Sequence, residues 1–396
     1  MQVPLLDLQA QLEPLREEIL AAVTDVIDST RYIMGPKVES LEGHVAAYCG
    51  AKYGIGVSSG TDALLASLMA LGVGPGDLVL TTPYTFIATM GCILRLGARP
   101  VFADIDPITF NIDPEKMARL LEENPKVASK VKVIMPVHLF GQCVDMGKII
   151  ALSERFAIPI VEDAAQAIGA CYPLGKDGEI RWLKAGAMGR TGCFSFFPSK
   201  NLGGIGDGGM VITDDTRLAE QIRIISIHGG NPKYHHAVIG GNFRLDPLQA
   251  VVLDIKLKYL PAWHQARRHN GALYNRLFNE SGLIARGLIK IPDAVYKELA
   301  ERGPAGTDYH IYNQYVIRAD RRDDLRAFLQ NKRIGVEVYY PIPLHKQKCV
   351  ADLGFNSLSF PEAEKAAIET LALPIYPELT DDMQQYVVDS INEFYS

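Results

Sequence analysis

No stretch of this sequence stays apolar and uncharged for the roughly 18 or more residues that a membrane-crossing helix takes, so no such helix is expected. The opening MQVPLLDLQAQLEPLREEIL carries acidic groups in its first turns and lacks the apolar centre of a secretion signal. A cytoplasmic address is the expectation. A basic excess is missing too: 40 Lys and Arg against 46 Asp and Glu leave a formal net charge of -6, with the cations scattered. Nucleic acid calls for a clustered basic face, so it is not expected as a partner. The 6 cysteines, at 49, 92, 143, 171, 193 and 349, form no C-x-x-C pair, and several sit inside apolar runs. They read as free thiols, not a disulfide frame or a zinc site. His235 and His236 are adjacent and point different ways on any regular element, with no Cys or carboxylate at ligand spacing. No metal is expected. Low-complexity segments and internal repeats are also absent.

What is present is a chain of 396 residues, 48% hydrophobic and 22% charged, long enough for two lobes around a substantial core. From residue 53 the pattern alternates. YGIGVSS, DLVLTT, RPVFADI, VKVIMPVHL and IPIVEDAA read as buried strands, and TDALLASLMALG, FIATMGCILRLG and DMGKIIALSERFA as helices between them. Continuous apolar strands separated by helices imply an α/β fold whose mostly parallel sheet is sandwiched by helices. Beyond Gly240 a helical stretch over residues 246–277 leads to a Gly- and Pro-rich loop. YHIYNQYVIR, DDLRAFLQ and GVEVYYPIPLH then suggest a smaller C-terminal α/β domain. The expected divisions are an N-terminal arm and helix (1–30), a large domain (31–265) and a small domain (266–396).

In such sheets ligands sit at the carboxyl ends of strands, which directs attention to SSGTDA, TTPYTF, PVHLFG and EDAAQA. SSGTDALLASL passes from strand to helix through Ser-Gly-Thr, where free N–H groups at a helix start, hydroxyls and a close-approach glycine make a phosphate cup. An ordinary N-cap by Ser59 or Thr61 explains the same residues. Asp163 follows an apolar strand and suits a carboxylate that keeps a heterocyclic nitrogen protonated, or a simple capping Asp. Lys200, between the run CFSFF and a segment with 5 glycines over residues 203–209, is alone a surface lysine. Joined, a phosphate cup, a strand-end carboxylate and a lysine able to form a Schiff base are what pyridoxal 5'-phosphate requires.

With SSGTDAL, PYTFIAT, VEDAAQAIGA, FSFFPSKNLGGIGDGG, GGNFRLDPLQA and YYPIPLHKQ in that order, the sequence resembles the DegT-type sugar aminotransferases over nearly its whole length. The resemblance implies a fold type I pyridoxal-phosphate transferase. By it, Lys200 holds the cofactor covalently and shuttles the proton. Asp163 pairs with the pyridine nitrogen, Gln166 reaches the ring hydroxyl, and Gly60, Thr61 and Ser195 hold the phosphate. Phe86 stacks on the ring, although the sequence alone reads it equally as core. Asn242 reaches the cofactor phosphate of a neighbouring subunit, which implies a homodimer with shared sites; its plain reading is a turn Asn.

The implied reaction moves an amino group, with glutamate as donor, to a keto group of a nucleotide-linked sugar, as in the biosynthesis of amino-sugar polysaccharides or glycosides. YYPIPLH resembles the form carried by members acting on 3-keto sugars, which favours C-3 over C-4 and places Tyr340 and His345 at the sugar nucleotide. Two other functions compete: a catalytically silent regulatory protein of the same fold, and a sugar dehydratase, in which the family replaces the lysine by histidine. The nucleotide base and the C-6 substituent are not legible. Two segments, 173–191 and 289–307, are longer than the pattern needs and read as surface loops.

Overall fold

The structure, a computed structural model, describes residues 1–176 and 179–396. Its central sheet is assembled from the expected alternation. Strands β1 (Tyr53–Val57), β2 (Leu78–Thr81), β3 (Arg99–Phe102), β4 (Val131–Ile134) and β5 (Val161–Asp163) are followed by a hairpin, β6 (Cys171–Lys176) and β7 (Glu179–Lys184), and then by β8 (Thr191–Ser195) and β9 (Gly209–Thr213). One group runs β1-β9-β8-β5 and another β3-β2-β4. Parallel bridges Ile134↔Ile160 and Val137↔Asp163 join them edge to edge. Only β9 runs against its neighbours, pairing antiparallel with both β1 and β8.

Helices cover both faces because their starts are fixed by side chains that satisfy free N–H groups. Asp145 accepts from the Lys148 amide and Asp215 from those of Arg217 and Leu218. The helix Gly60–Ala70 is apolar nearly all round, as befits one packed on its neighbours as well as on the sheet. One apolar cluster gathers Leu80, Ile134, Phe194, Met210 and Leu253, and a second gathers Val57, Leu64, Val133, Val161 and Val211. A separate cluster around Tyr274, Tyr315, Leu325, Leu371 and Val387 belongs to the C-terminal lobe.

That lobe is built on β10 (Ile289–Lys290), β11 (Tyr315–Ala319) and β12 (Thr370–Leu373), all antiparallel. GVEVYYPIPLH contributes only the bridge Glu337↔Ala372; the strand beside β11 comes from TLAL instead. The stretch 246–277 is two helices, Pro247–Leu257 and Leu260–Glu280. Pro261 has no N–H to donate backward, so the first helix ends and a new one begins with Pro261 in its first turn. A boundary at 265/266 therefore falls inside the second helix. The N-terminal arm is split between the lobes. Val3 pairs with Ile334 and joins the small-lobe core, while the helix Arg16–Ser29 packs through Ile19 and Val26 on Val252 and Ile255.

The segment 173–191 is not a plain loop. β6 and β7 form a hairpin in which Tyr172 faces Leu183 and Leu174 faces Arg181; residues 177 and 178 lie outside the described residues. Half-buried faces on both arms support the pairing, which the scattered glycines and charges of the sequence concealed. The segment 289–307 likewise holds β10 and a short helix, Lys297–Glu301. Among the described residues no helix is long and apolar enough to cross a membrane, and no metal-ligand cluster occurs.

Close backbone packing behind the sheet rests on Gly192. A Cβ there would lie 2.2 Å from both the Cα and the carbonyl oxygen of Gly186, and Gly186 is held in place by its N–H on the Glu162 carboxylate. Gly192→Ala should lower stability by about 1–3 kcal/mol, read as an earlier midpoint in urea denaturation. An unchanged midpoint would show that the Gly186 turn yields freely.

Candidate active site

At the carboxyl end of β1 the chain turns into the helix Gly60–Ala70. Ser59 caps it by accepting from the Asp62 amide at 3.1 Å, and the Ser59 carbonyl takes the Ala63 amide at 3.0 Å. The amides of Gly60 and Thr61 find no acceptor among the described residues, so both remain available at the positive end of the helix. Ser195, ending β8, stands against them: a Cβ on Gly60 would lie 2.6 Å from the Ser195 Cβ and 3.2 Å from its Oγ. The structure thus brings Gly60, Thr61 and Ser195 into one cradle in which any side chain at position 60 would intrude.

β5 ends in two consecutive carboxylates that its alternation sends to opposite faces. Glu162 is fully buried and accepts the amides of Gly186 at 2.7 Å, Met188 at 2.6 Å and Gly189. Its fourth partner is His138 Nε2 at 2.8 Å. His138 Nδ1 accepts the Val144 amide at 3.2 Å, which puts the ring proton on Nε2, so a neutral imidazole donates to Glu162. Asp163 has fewer partners: Thr89 Oγ1 donates to it at 2.8 Å and the Ala165 amide at 3.2 Å. Burial raises its pKa, opposed by the Thr89 bond, the Ala165 bond and the nearby charge of Lys200.

Lys200 sits half-buried after β8, its amide donating to the Phe197 carbonyl at 2.8 Å. Burial brings the ammonium down from its ordinary 10.5 to about 8, and the Asp163 carboxylate opposes that fall. The neutral amine is therefore far more accessible near neutral pH than on an ordinary lysine, as a nucleophilic lysine requires.

Gln166 is nearly buried. Its Oε1 accepts the Phe140 amide at 2.7 Å and its Nε2 donates to the Tyr340 hydroxyl at 3.0 Å, which leaves one N–H to spare. Tyr340 is aligned by a residue the sequence reading passed over. The fully buried Tyr84 hydroxyl accepts the Tyr340 amide at 3.0 Å, donates to the Tyr339 carbonyl at 2.7 Å and meets Thr370 Oγ1 at 2.8 Å. Phe86 caps the start of the helix Ile87–Arg95, is 55% exposed, and lies 6.1 Å from the Tyr340 ring between centroids. So much exposure rules out a core role and leaves a ring face open.

Two further expected residues have their own surroundings. His345 is fully buried, its Nε2 on the Glu364 carboxylate at 2.9 Å and its ring edge-on to Phe360. Those contacts tie it to the loop, and its Nδ1 is buried without a partner among the described residues. Asn242 is exposed in the single chain; it bridges Ile227, and the next carbonyl, of Phe243, accepts the Ser58 amide at 2.9 Å. Thr89, Glu162 and His138 were not anticipated. Thr89 had a signal, since it lies one helical turn beyond Phe86 and shares its face.

Free amides at a helix start, a buried strand-end carboxylate and a lysine whose ammonium is brought down to about 8 are the groups that pyridoxal phosphate calls for. The fold and site are those of a fold type I pyridoxal-phosphate aminotransferase, and the residues fit that cofactor. The chain belongs to the DegT/DnrJ/EryC1/StrS aminotransferase family, matched over residues 13–392. It is 48% identical to the pleiotropic regulatory protein of Geobacillus stearothermophilus over 100% of this chain and 99% of that one. It is 38% identical to UDP-N-acetyl-3-dehydro-alpha-D-glucosamine 3-aminotransferase of Acidithiobacillus ferrooxidans, covering 96% and 94%. Identity is again 38% to dTDP-3-amino-3,4,6-trideoxy-alpha-D-glucose transaminase of Streptomyces venezuelae, covering 99% and 96%. Among solved structures, S. venezuelae DesV with a ketimine intermediate superposes with a TM-score of 0.87 at 37% identity, covering 99% of this chain and 98% of that one. An aminotransferase of the family from Brucella abortus gives 0.87 at 34% identity, covering 100% of both.

The Lys200 titration has a definite sign. Burial penalises the charged amine, so folding gains stability as pH rises from about 8 towards the unfolded value of 10.5. In cofactor-free protein, reductive methylation of Lys200 followed by mass spectrometry should rise with a midpoint near 8. Asp163→Asn removes the charge that props the pKa up, so its midpoint should fall further. A midpoint that stays put or rises would mean that the two groups do not interact.

Proposed function

We propose that this aminotransferase acts in the cytoplasm as a homodimer, moving an amino group from glutamate to the C-3 keto group of a nucleotide-linked sugar. The observation that carries the catalytic part is the neutralisable Lys200 beside the buried Asp163, with the Gly60–Ser195 cradle at hand. The names of the relatives from Acidithiobacillus and Streptomyces, one for a UDP sugar and one for a dTDP sugar, both specify the 3-position and support C-3. They do not favour either nucleotide.

Bound pyridoxal phosphate supplies the electron sink for the C–H bond of the amino-bearing carbon. Gly60, Thr61 and Ser195 would hold its phosphate, Asp163 its ring nitrogen, Gln166 its ring hydroxyl, and Phe86 one ring face. Lys200 Nζ takes the proton from the amino-bearing carbon of the donor and, in the second half-reaction, returns one to the former keto carbon of the sugar. Tyr340, locked by Tyr84, orients the sugar nucleotide. Donor and acceptor then use the site in turn, which gives ping-pong kinetics.

The name of the Geobacillus relative keeps a regulatory reading in view. Retention of Lys200, Asp163 and the cradle supports catalysis, and a lysine at position 200 argues against the dehydratase. The test is mass spectrometry of products from a panel of 3-keto and 4-keto sugar nucleotides with glutamate. A 3-amino product is expected from the parent and none from Lys200→Ala. An inert parent whose visible spectrum ignores glutamate would support the regulatory reading.

Sharing of the site is tested by mixing subunits. Asn242→Asp should repel the phosphate it meets. If that phosphate is the partner's, heterodimers of Asn242→Asp with Lys200→Ala carry one site with both defects and one with neither, and activity returns on verified exchange. The position of Asn242 beside Phe243, which holds the cradle of its own chain, gives the opposite outcome a concrete meaning. Activity that never returns, with Asn242→Asp inactive alone, would place Asn242 in its own site.

A further inference from the structure

Arg267 lies on the long helix Leu260–Glu280 and is only 2% exposed, yet it forms no ion pair among the described residues. A buried guanidinium without an acid is costly, and its cost shows: burial brings its pKa down to about 10, with Glu378 opposing only from a distance. Its hydrogen bonding is one-sided. Nη1 donates to the Tyr312 carbonyl at 2.9 Å and to the Ile375 carbonyl at 2.8 Å. Nε is buried with no partner, and Nη2 has no acceptor among the described residues. These two nitrogens share the edge of the guanidinium that grips a carboxylate with two parallel N–H bonds.

That residue lines a cavity of about 60 Å³ together with Ser199, Asn313, Gln314 and Tyr339, roofed by Leu5 and Leu6 of the N-terminal arm. Ser199 is the residue before Lys200 and Tyr339 precedes Tyr340, so two of the cavity's walls are immediate chain neighbours of site residues. Asn313 Oδ1 is a second buried polar atom there with no partner.

We infer that the free Nε–Nη2 edge of Arg267 seats a carboxylate of the amino donor. The inference rests on the transaminase reading above. The donor would supply the anion that the fold omits, and it would be held by a group that the sugar nucleotide does not use. The two carbonyl bonds of Nη1 fix the fork in advance, so little ordering is left for binding to perform.

Glutarate, a dicarboxylate with neither amine nor keto group, is the probe. It should bind the parent holoenzyme in calorimetry and compete with glutamate. Arg267→Lys keeps a cation able to donate to the two carbonyls but loses the two-pronged edge. It should weaken glutarate and raise KM for glutamate about 10- to 100-fold, leaving KM for the sugar nucleotide unchanged. A purely structural arginine would lower the melting temperature without separating the two substrates. Asn313→Asp, which sets an internal carboxylate in the cavity wall, should raise the melting temperature and abolish glutarate binding. Glutarate affinity unchanged in either folded variant, or equal rises in both KM values, overturns the proposal. A parent that binds glutarate through Arg267 but consumes no glutamate would reject the donor assignment and leave the carboxylate seat standing.

Discussion

Two adjacent carboxylates at the end of one buried strand set the terms for this site. Removing a carboxylate from water costs several kcal/mol unless hydrogen bonds and charge replace the lost hydration. Glu162 has that replacement in full, from three backbone amides and the neutral His138. In being satisfied it pins the turn over Gly186–Gly189 and the loop after β4 to the sheet. Asp163, one residue on and facing the other way, has one hydroxyl and one amide. Burial therefore raises its pKa, against which the nearby charge of Lys200 acts.

The same logic carries across the lobes. Tyr84, at the end of β2, places one hydroxyl among a carbonyl, an amide and the Thr370 hydroxyl of the C-terminal lobe. Three partners on one fully buried oxygen fix the Tyr339–Tyr340 backbone, and Tyr340 then reaches Gln166 in the large lobe. Tyr340 is thus held from both lobes, through Gln166 and Tyr84 of the large lobe and its own C-terminal segment. Within the C-terminal lobe, Arg267 links the long helix to the backbones of Tyr312 and Ile375.

Much of the large lobe was legible because its strands are apolar runs and its helices begin at recognisable caps. Attention fell on the Gly60 turn, Asp163 and Lys200 because each lies at or shortly after the end of such a strand. The hairpin in 173–191 was not, since half-buried faces dilute the alternation with charge. The break at Lys258–Tyr259 was marked by Pro261 but overridden by the apolar periodicity on either side. Glu162 was missed for a sharper reason. A glutamate inside an apolar strand looks like the neighbour of the functional aspartate, and only the folded turn over Gly186–Gly189 shows that its donors exist.

His345 shows the limit of reading a role from a motif. Its imidazole Nε2 is held by Glu364, which also accepts the Phe360 amide at 3.2 Å, so the acid, the ring and the start of the helix Pro361–Glu369 form one closed unit. Burial lowers the pKa of this histidine and the Glu364 bond opposes that, which suits a neutral structural imidazole. Among the described residues Glu162 has four partners and the Nε2 of His345 has Glu364, while the Nε–Nη2 edge of Arg267 and the amides of Gly60 and Thr61 have none. A fold that satisfies Glu162 four times over and leaves those donors free has reserved them for what it binds.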